Sequence, residues 1–281
     1  MEDYVAAVLK LRPDIALGMG DIVSADGEKG LGIGVKRKEK MAERTFTWVR
    51  ELINGLRDMK EEGDSGTYQT ALFAPILPIE REMQSDYVSE LYDNPAWKEI
   101  LKGFTLYSTD SIDAIPLELS HLPRLSLASP TTPHSILQSV SLGIDLFTLP
   151  FINEATEAGI AFSFTFSAPP SSPERLALGF DMWSPTHSKA VSPLMDGCKC
   201  YACTHHHRAY IQHLLSAKEM LAWVLLQVHN HHIMDKFFAG IRESIANGTF
   251  EEQQGRFGEV YESELPIKTG QGPRYVYLHP K

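Results

Sequence analysis

Three cysteines in 281 residues are too few for a disulfide framework, and an odd count leaves one thiol over if any pair forms. Long apolar runs are missing as well. No window approaches the roughly 18 uninterrupted apolar residues that a membrane span needs. The opening Met1-Glu-Asp-Tyr4 has neither the basic nor the apolar region of a secretion signal. Positive charge is scarce: 26 Lys+Arg against 36 Asp+Glu give a net charge of −10. That balance argues against charge-driven nucleic-acid binding by the molecule as a whole, while leaving room for a local basic face. These absences lead us to expect a reduced, soluble, intracellular protein with no integral membrane contact.

The chain has 43% hydrophobic and 22% charged residues, close to the globular average, which argues against disorder, collagen and coiled coil. Its length suits one large domain or two smaller ones. The first two thirds alternate short apolar runs with helix-forming stretches. Strands are expected at Asp14–Met19, Gln69–Ala74, Gly103–Tyr107, Arg124–Ala128 and Ile144–Leu149, with helices at Lys38–Lys60, Ser85–Leu101 and His134–Leu142. Such spacing predicts βα units around a parallel sheet, open or closed into a barrel. In the first helix Phe46, Val49, Ile53 and Leu56 recur at three- and four-residue spacing, a face for covering that sheet.

From 168 to 195 the chain is rich in Pro and Ser and reads as a connection, with Leu176–Trp183 a short ordered piece inside it. Beyond Cys198 it turns helical. Tyr210, Leu214, Ala217, Leu221, Leu225 and Val228 form one stripe on a helix from about Arg208, with Trp223 and Leu226 off it, facing a core or a partner. A second helix at Phe237–Ala246 is closed by Asn247-Gly248. The segment 251–281 is polar and reads as a loosely held tail. The expected division is therefore 1–167, 168–195, 196–250 and 251–281.

All three cysteines lie in Cys198-Lys-Cys200-Tyr-Ala-Cys203. Three thiolates on so short a segment must approach one another, and zinc suits sulfur donors in a reducing compartment. A fourth ligand must come from elsewhere. The histidines on offer are His205, His206, His207, His213, His229, His231 and His232. The first three follow the knuckle too closely to fold back easily. His229 can return on a helix, and His213 is a weaker choice.

Pro193-Leu-Met-Asp-Gly-Cys198-Lys-Cys200-Tyr-Ala-Cys203, His207-Arg-Ala-Tyr-Ile-Gln-His-Leu214 and Leu225-Leu-Gln-Val-His229-Asn230 together resemble the zinc subdomain of tRNA-guanine transglycosylases. Upstream, Arg12-Pro-Asp-Ile15 leading to Asp21, Glu43-Arg-Thr-Phe-Thr-Trp48 and Leu142-Gly-Ile-Asp-Leu-Phe147 follow the same family's order. The resemblance covers nearly the whole chain and weakens after Asn247. It implies one structural Zn2+ held by Cys198, Cys200, Cys203 and His229, with no open coordination position for water. It also implies a TIM-type (β/α)8 barrel with a C-terminal helical zinc-binding subdomain. Five strands are about three short of that barrel, so the N-terminal strands are expected to be missing and the chain to be the later part of a longer architecture.

The same resemblance exposes departures. Base exchange at a ribose needs a carboxylate nucleophile, which the family places directly after Gly143-Ile-Asp-Leu-Phe147; here that position is Thr148. Paired glycines of the base pocket are replaced by Tyr107-Ser108, and Gly20 stands where the base-recognising aspartate is expected, with Asp21 next to it. No catalytic residue is therefore assigned, and Asp145 is read as structural. The pattern resembles the non-catalytic members of the family. It implies a heterodimer with a catalytic queuine tRNA-ribosyltransferase subunit, bound to tRNA during exchange of guanine-34 for queuine. A homodimer when alone, and a cytoplasmic location that extends peripherally to the mitochondrial outer membrane, are further expectations. Between Cys198 and Phe250 five cations stand against three carboxylates, which allows phosphate contact there. Two alternatives remain: an active transglycosylase using Asp145 or Glu154, or a zinc-stabilised interaction protein from a truncated gene.

Overall fold

The structure, a computed structural model, describes residues 1–23, 33–61, 70–170 and 174–273. They fall into two units. The first contains Met1–Ser129 and Ser139–Thr148; the second contains Pro130–Gln138 and Leu149 onward.

In the first unit, five strands form one parallel sheet in chain order: β1 (Ile15–Leu17), β2 (Ala71–Ile76), β3 (Leu101–Leu106), β4 (Arg124–Ser126) and β5 (Leu146–Phe147). Each expected strand is present, although Gln69 lies outside the described residues. Sequential parallel order with helical crossovers is the topology of a barrel wall, and β1 and β5 form its two edges. The helices of this unit are α1 (Glu2–Leu11), α2 (Val35–Glu61), α3 (Ser85–Asp93) and α4 (Pro95–Ile100). Val49, Leu52 and Ile53 of α2 pack in one core with Ala16, Leu72, Ala74, Ile76, Phe104 and Leu106 of the sheet, with Phe46 and Leu56 at its margin. Alternation along β2 puts Leu72, Ala74 and Ile76 on the helix-facing side. Burying each large aliphatic there contributes about 1.5–3 kcal/mol.

The expected single helix Ser85–Leu101 is instead two helices. Pro95 lacks the N–H that a continuous helix would need, Asn94 caps α4 by accepting the Ala96 N–H at 3.0 Å, and Leu101 already belongs to β3.

The second unit takes the first six residues of α5 (Pro133–Ser141), then α6 (Pro150–Glu157), an antiparallel pair β6 (Ile160–Phe162) and β7 (Gly179–Asp181), α7 (Tyr201–His205), α8 (Arg208–Ala217), α9 (Met220–Ala246) and α10 (Phe250–Val260). Three expectations are corrected here. The helix read from Arg208 to Val228 breaks at Lys218, which adopts the left-handed conformation (φ 60°) and closes α8 through N–H bonds from residues 218 and 219 to Leu215 and Leu214. The part of that helix beyond the break and the second helix expected at Phe237–Ala246 are one helix of 27 residues, α9. The apolar stripe is consequently split: Leu225 is buried, while Leu221 and Val228 are exposed and Trp223 and Leu226 enter the core.

The expected polar tail contains α10, whose Phe257 is fully buried in a ring cluster with Phe164, Phe166 and Phe237. The glutamates and glutamines of this helix mask its one apolar face in sequence. The closure of α9 at Asn247-Gly248 is as expected, with Gly248 at φ 69°.

Candidate metal centre

The three-cysteine knuckle is built by a turn and a short helix. Cys198 donates its N–H to the Met195 carbonyl at 3.2 Å, and Gly197 takes φ 76° in that turn, where a Cβ is disfavoured. Cys200 is the N-cap of α7, its Sγ accepting the Cys203 N–H at 3.4 Å. One helical turn places Cys203 beside it.

His229 comes from far along the chain on α9. Its Nδ1 lies 3.8 Å from Cys198 Sγ, 3.6 Å from Cys200 Sγ and 3.4 Å from Cys203 Sγ. All four donor atoms lie within 4.8 Å of one another, so the group can hold a metal ion. Zinc bonds of about 2.3 Å to sulfur and about 2.0–2.1 Å to nitrogen imply tetrahedral edges of about 3.5–3.8 Å, and the three separations from Nδ1 to sulfur are consistent with that ion.

The histidine is held for this task. Its Nε2 lies 2.8 Å from the Phe162 carbonyl and donates to it, which leaves Nδ1 as the lone-pair atom facing the thiols. Asn230, the next residue, accepts the Phe162 N–H at 2.9 Å and donates to the Ile160 carbonyl and to Thr156 Oγ1, both at 2.9 Å. Both side chains are wholly buried. Consecutive residues of α9 thus grip both polar groups of one β6 residue.

Burial pushes the Cys203 thiol up to about 12 and raises that of Cys200, and it lowers His229 to about 4. Without a cation, then, these donors favour their uncharged forms. A divalent ion held here would supply the charge that makes the thiolates tolerable, and its binding would release protons.

The other histidines lie outside this cluster. His205 is exposed, with its ring stacked on Tyr201 at 4.3 Å. His207 caps α8 by accepting the Tyr210 N–H at 3.1 Å. His213 is exposed, and His231 Nε2 pairs with the Gln227 amide at 2.8 Å. Sequence reasoning missed strand β6, whose apolar run Ile160-Ala-Phe162 is only three residues long.

At the positions where the resemblance places catalysis, the chemistry is different. Thr148 is exposed after β5, its N–H directed at the Ser126 carbonyl. Asp145 Oδ2 accepts the Arg124 N–H at 2.9 Å and thereby organises the start of β4. Tyr107 covers Gly20 so closely that a Cβ there would stand 3.0 Å from its ring, and the tyrosine hydroxyl meets the Gly20 backbone while burial raises its pKa.

Asp21 is nearly buried and committed to structure: it bonds Arg37 at 2.9 Å and Arg44 at 3.1 Å, both on α2, and its N–H donates to Thr45 Oγ1 at 3.0 Å. Because both arginines are substantially exposed, Asp21→Ala is expected to cost only about 1–2 kcal/mol, read by urea unfolding. An unchanged midpoint would show that these bonds do not hold α2.

These features define an α/β protein with a sequential parallel sheet and, on a helical unit, three cysteines and one histidine that can hold a metal ion. A family model described as queuine tRNA-ribosyltransferase matches residues 1–263. The chain is 34% identical over 275 residues to queuine tRNA-ribosyltransferase accessory subunit 2 of Schizosaccharomyces pombe, covering 96% of this chain and 59% of that protein. Proteins with the same description from Culex quinquefasciatus and Caenorhabditis elegans are 28% and 29% identical, covering 89% and 83% of this chain and 59% and 62% of theirs. The chain belongs to the queuine tRNA-ribosyltransferase family, and it spans about three fifths of the length of these curated relatives.

Proposed function

We propose that this chain is a non-catalytic accessory subunit of a queuine tRNA-ribosyltransferase, pairing with a catalytic subunit and helping to hold tRNA while guanine is exchanged for queuine. The carrying observation is Thr148, at the place of the family's nucleophilic carboxylate. A threonine hydroxyl is not ionised near neutral pH and cannot form the glycosyl ester that such chemistry requires. Tyr107 lying over Gly20 supports the same reading, because it occupies space that a heterocycle would need.

In this reading the ion is zinc, held by Cys198, Cys200, Cys203 and His229 in a subdomain of residues 196–250. It supplies a structural cross-link. The chain's own part is to fix the His229 tautomer through Phe162 and to anchor the helix through Asn230. The five strands form part of an eight-stranded barrel. Among the described residues no helix is long and apolar enough to cross a membrane; the chain is assigned to the cytoplasm, and any attachment to the mitochondrial outer surface is peripheral.

The test is a guanine-exchange assay with this chain alone, a catalytic homologue alone, and the two together. Exchange is expected only, or at least tenfold faster, in the mixture. Exchange by this chain alone, or a covalent tRNA adduct trapped on it, would overturn the proposal in favour of an atypical nucleophile.

A further inference from the structure

Arg208 has an environment that its neighbours do not explain. It is the first residue of α8, where the helix dipole disfavours a cation. It is half-buried, and its polar partners are neutral. Nε donates to the Pro193 carbonyl and an Nη to the Leu194 carbonyl, each at 2.9 Å. The guanidinium lies 4.3 Å from the centroid of the Phe180 ring, and the backbone N–H donates to Ser192 at 3.0 Å.

Among the described residues no carboxylate forms an ion pair with it. Asp181, next to Phe180 on β7, is engaged by the Trp183 N–H and the Thr269 hydroxyl. A partly desolvated cation without a counter-charge is costly, so a negative group is to be expected nearby.

With an ion bound, the knuckle would supply one. Three thiolates and a neutral imidazole around a divalent ion carry a net charge of about −1. The carbonyls gripped by Arg208 belong to the stretch of chain that enters the Met195–Cys198 turn, and α8 begins five residues after Cys203.

We infer that Arg208 is the counter-ion and outer clamp of the centre formed by the three cysteines and His229, a positioning residue that retains the ion by charge as well as by its grip on residues 193–194. The inference rests on the metal reading given above. It goes beyond the four ligands, and it makes the arginine of the His207-Arg-Ala-Tyr210 segment part of the centre.

Zinc release from the whole chain to a chromogenic chelator tests it, with circular dichroism as the check on folding. Arg208→Gln keeps an amide donor but removes the charge, and it is expected to release zinc about tenfold faster or more, the range seen when outer-shell partners of metal ligands are lost. Arg208→Lys keeps the charge without the fork and is expected to stay within about threefold of the unaltered chain. Equal release rates for the glutamine and lysine variants, both slow or both fast, would overturn the inference, since charge would then be immaterial. If Arg208→Gln does not fold, the lysine variant decides alone: retention near the unaltered rate supports the inference, and release about tenfold faster refutes it. An unaltered chain that purifies without stoichiometric zinc would instead overturn the metal reading, taking the inference with it.

Discussion

Cys200→Ser is expected to abolish stoichiometric metal binding and to lower the melting temperature of the chain by more than about 10 °C. A structural zinc contributes on the order of 10 kcal/mol to the folding of its domain, and each kcal/mol moves the midpoint of a domain this size by about 2–4 °C. Cys200 is the informative position because its Sγ has two separable roles: it faces His229 Nδ1 at 3.6 Å and accepts the Cys203 N–H that caps α7. Serine is a good N-cap residue, so the local capping survives while the soft sulfur donor is lost. Metal content by atomic absorption and a thermal scan followed by circular dichroism report the outcome. Exhaustive chelation of the unaltered chain should reproduce the loss, and added zinc should reverse it. His205→Ala, which removes an exposed histidine outside the cluster, should leave the metal content unchanged. A serine variant that keeps one metal per chain and the original midpoint would show that the cluster does not bind the ion.

The second large effect is expected at Asn230. Alanine there removes the acceptor for the Phe162 N–H and the donors to Ile160 and Thr156. The site is wholly buried, so the freed backbone N–H and carbonyl find no water, and each costs about 1–3 kcal/mol. A total loss of about 3–5 kcal/mol is expected in urea unfolding. Thr156→Ala deletes only one partner and should cost about 1 kcal/mol. The larger substitution should also loosen the metal, because β6 carries the Phe162 carbonyl that orients His229. A loss below about 1 kcal/mol for Asn230→Ala would mean that the α9–β6 grip is not what fixes the histidine.

Much of the sheet was legible because its strands are short apolar runs separated by helices, a pattern set by burial on both faces. The helix over residues 35–61 was legible because Val49 and Ile53 repeat at the helical period and meet the sheet core. The break at Asn94-Pro95 also has a local signature, a capping residue followed by proline, and could have been read. The break at Lys218 does not. Lys218-Glu219 contains neither glycine nor proline, and a left-handed lysine is tolerated there only because α8 and α9 then pack on each other. The helix at Phe250–Val260 escaped notice for a related reason: its stability depends on placing Phe257 among the rings of Phe164, Phe166 and Phe237, which are distant in sequence.

The metal centre divides along the same line. By itself the sequence determined three of the four donors of the cluster: the only cysteines of the chain sit within six residues, and local geometry forces them together. It also determined that Thr148 cannot serve as a carboxylate nucleophile, since that depends on residue chemistry alone. The fourth donor was one of seven histidines, and spacing left the choice open until resemblance favoured His229. Only the tertiary structure decided how that residue reaches the knuckle. Its position depends on where α9 returns after the turn at Lys218 and on Asn230 locking the helix to β6 across some 70 residues. The physical reason is that such long-range, fully buried hydrogen bonds leave no periodic trace in the segments that make them.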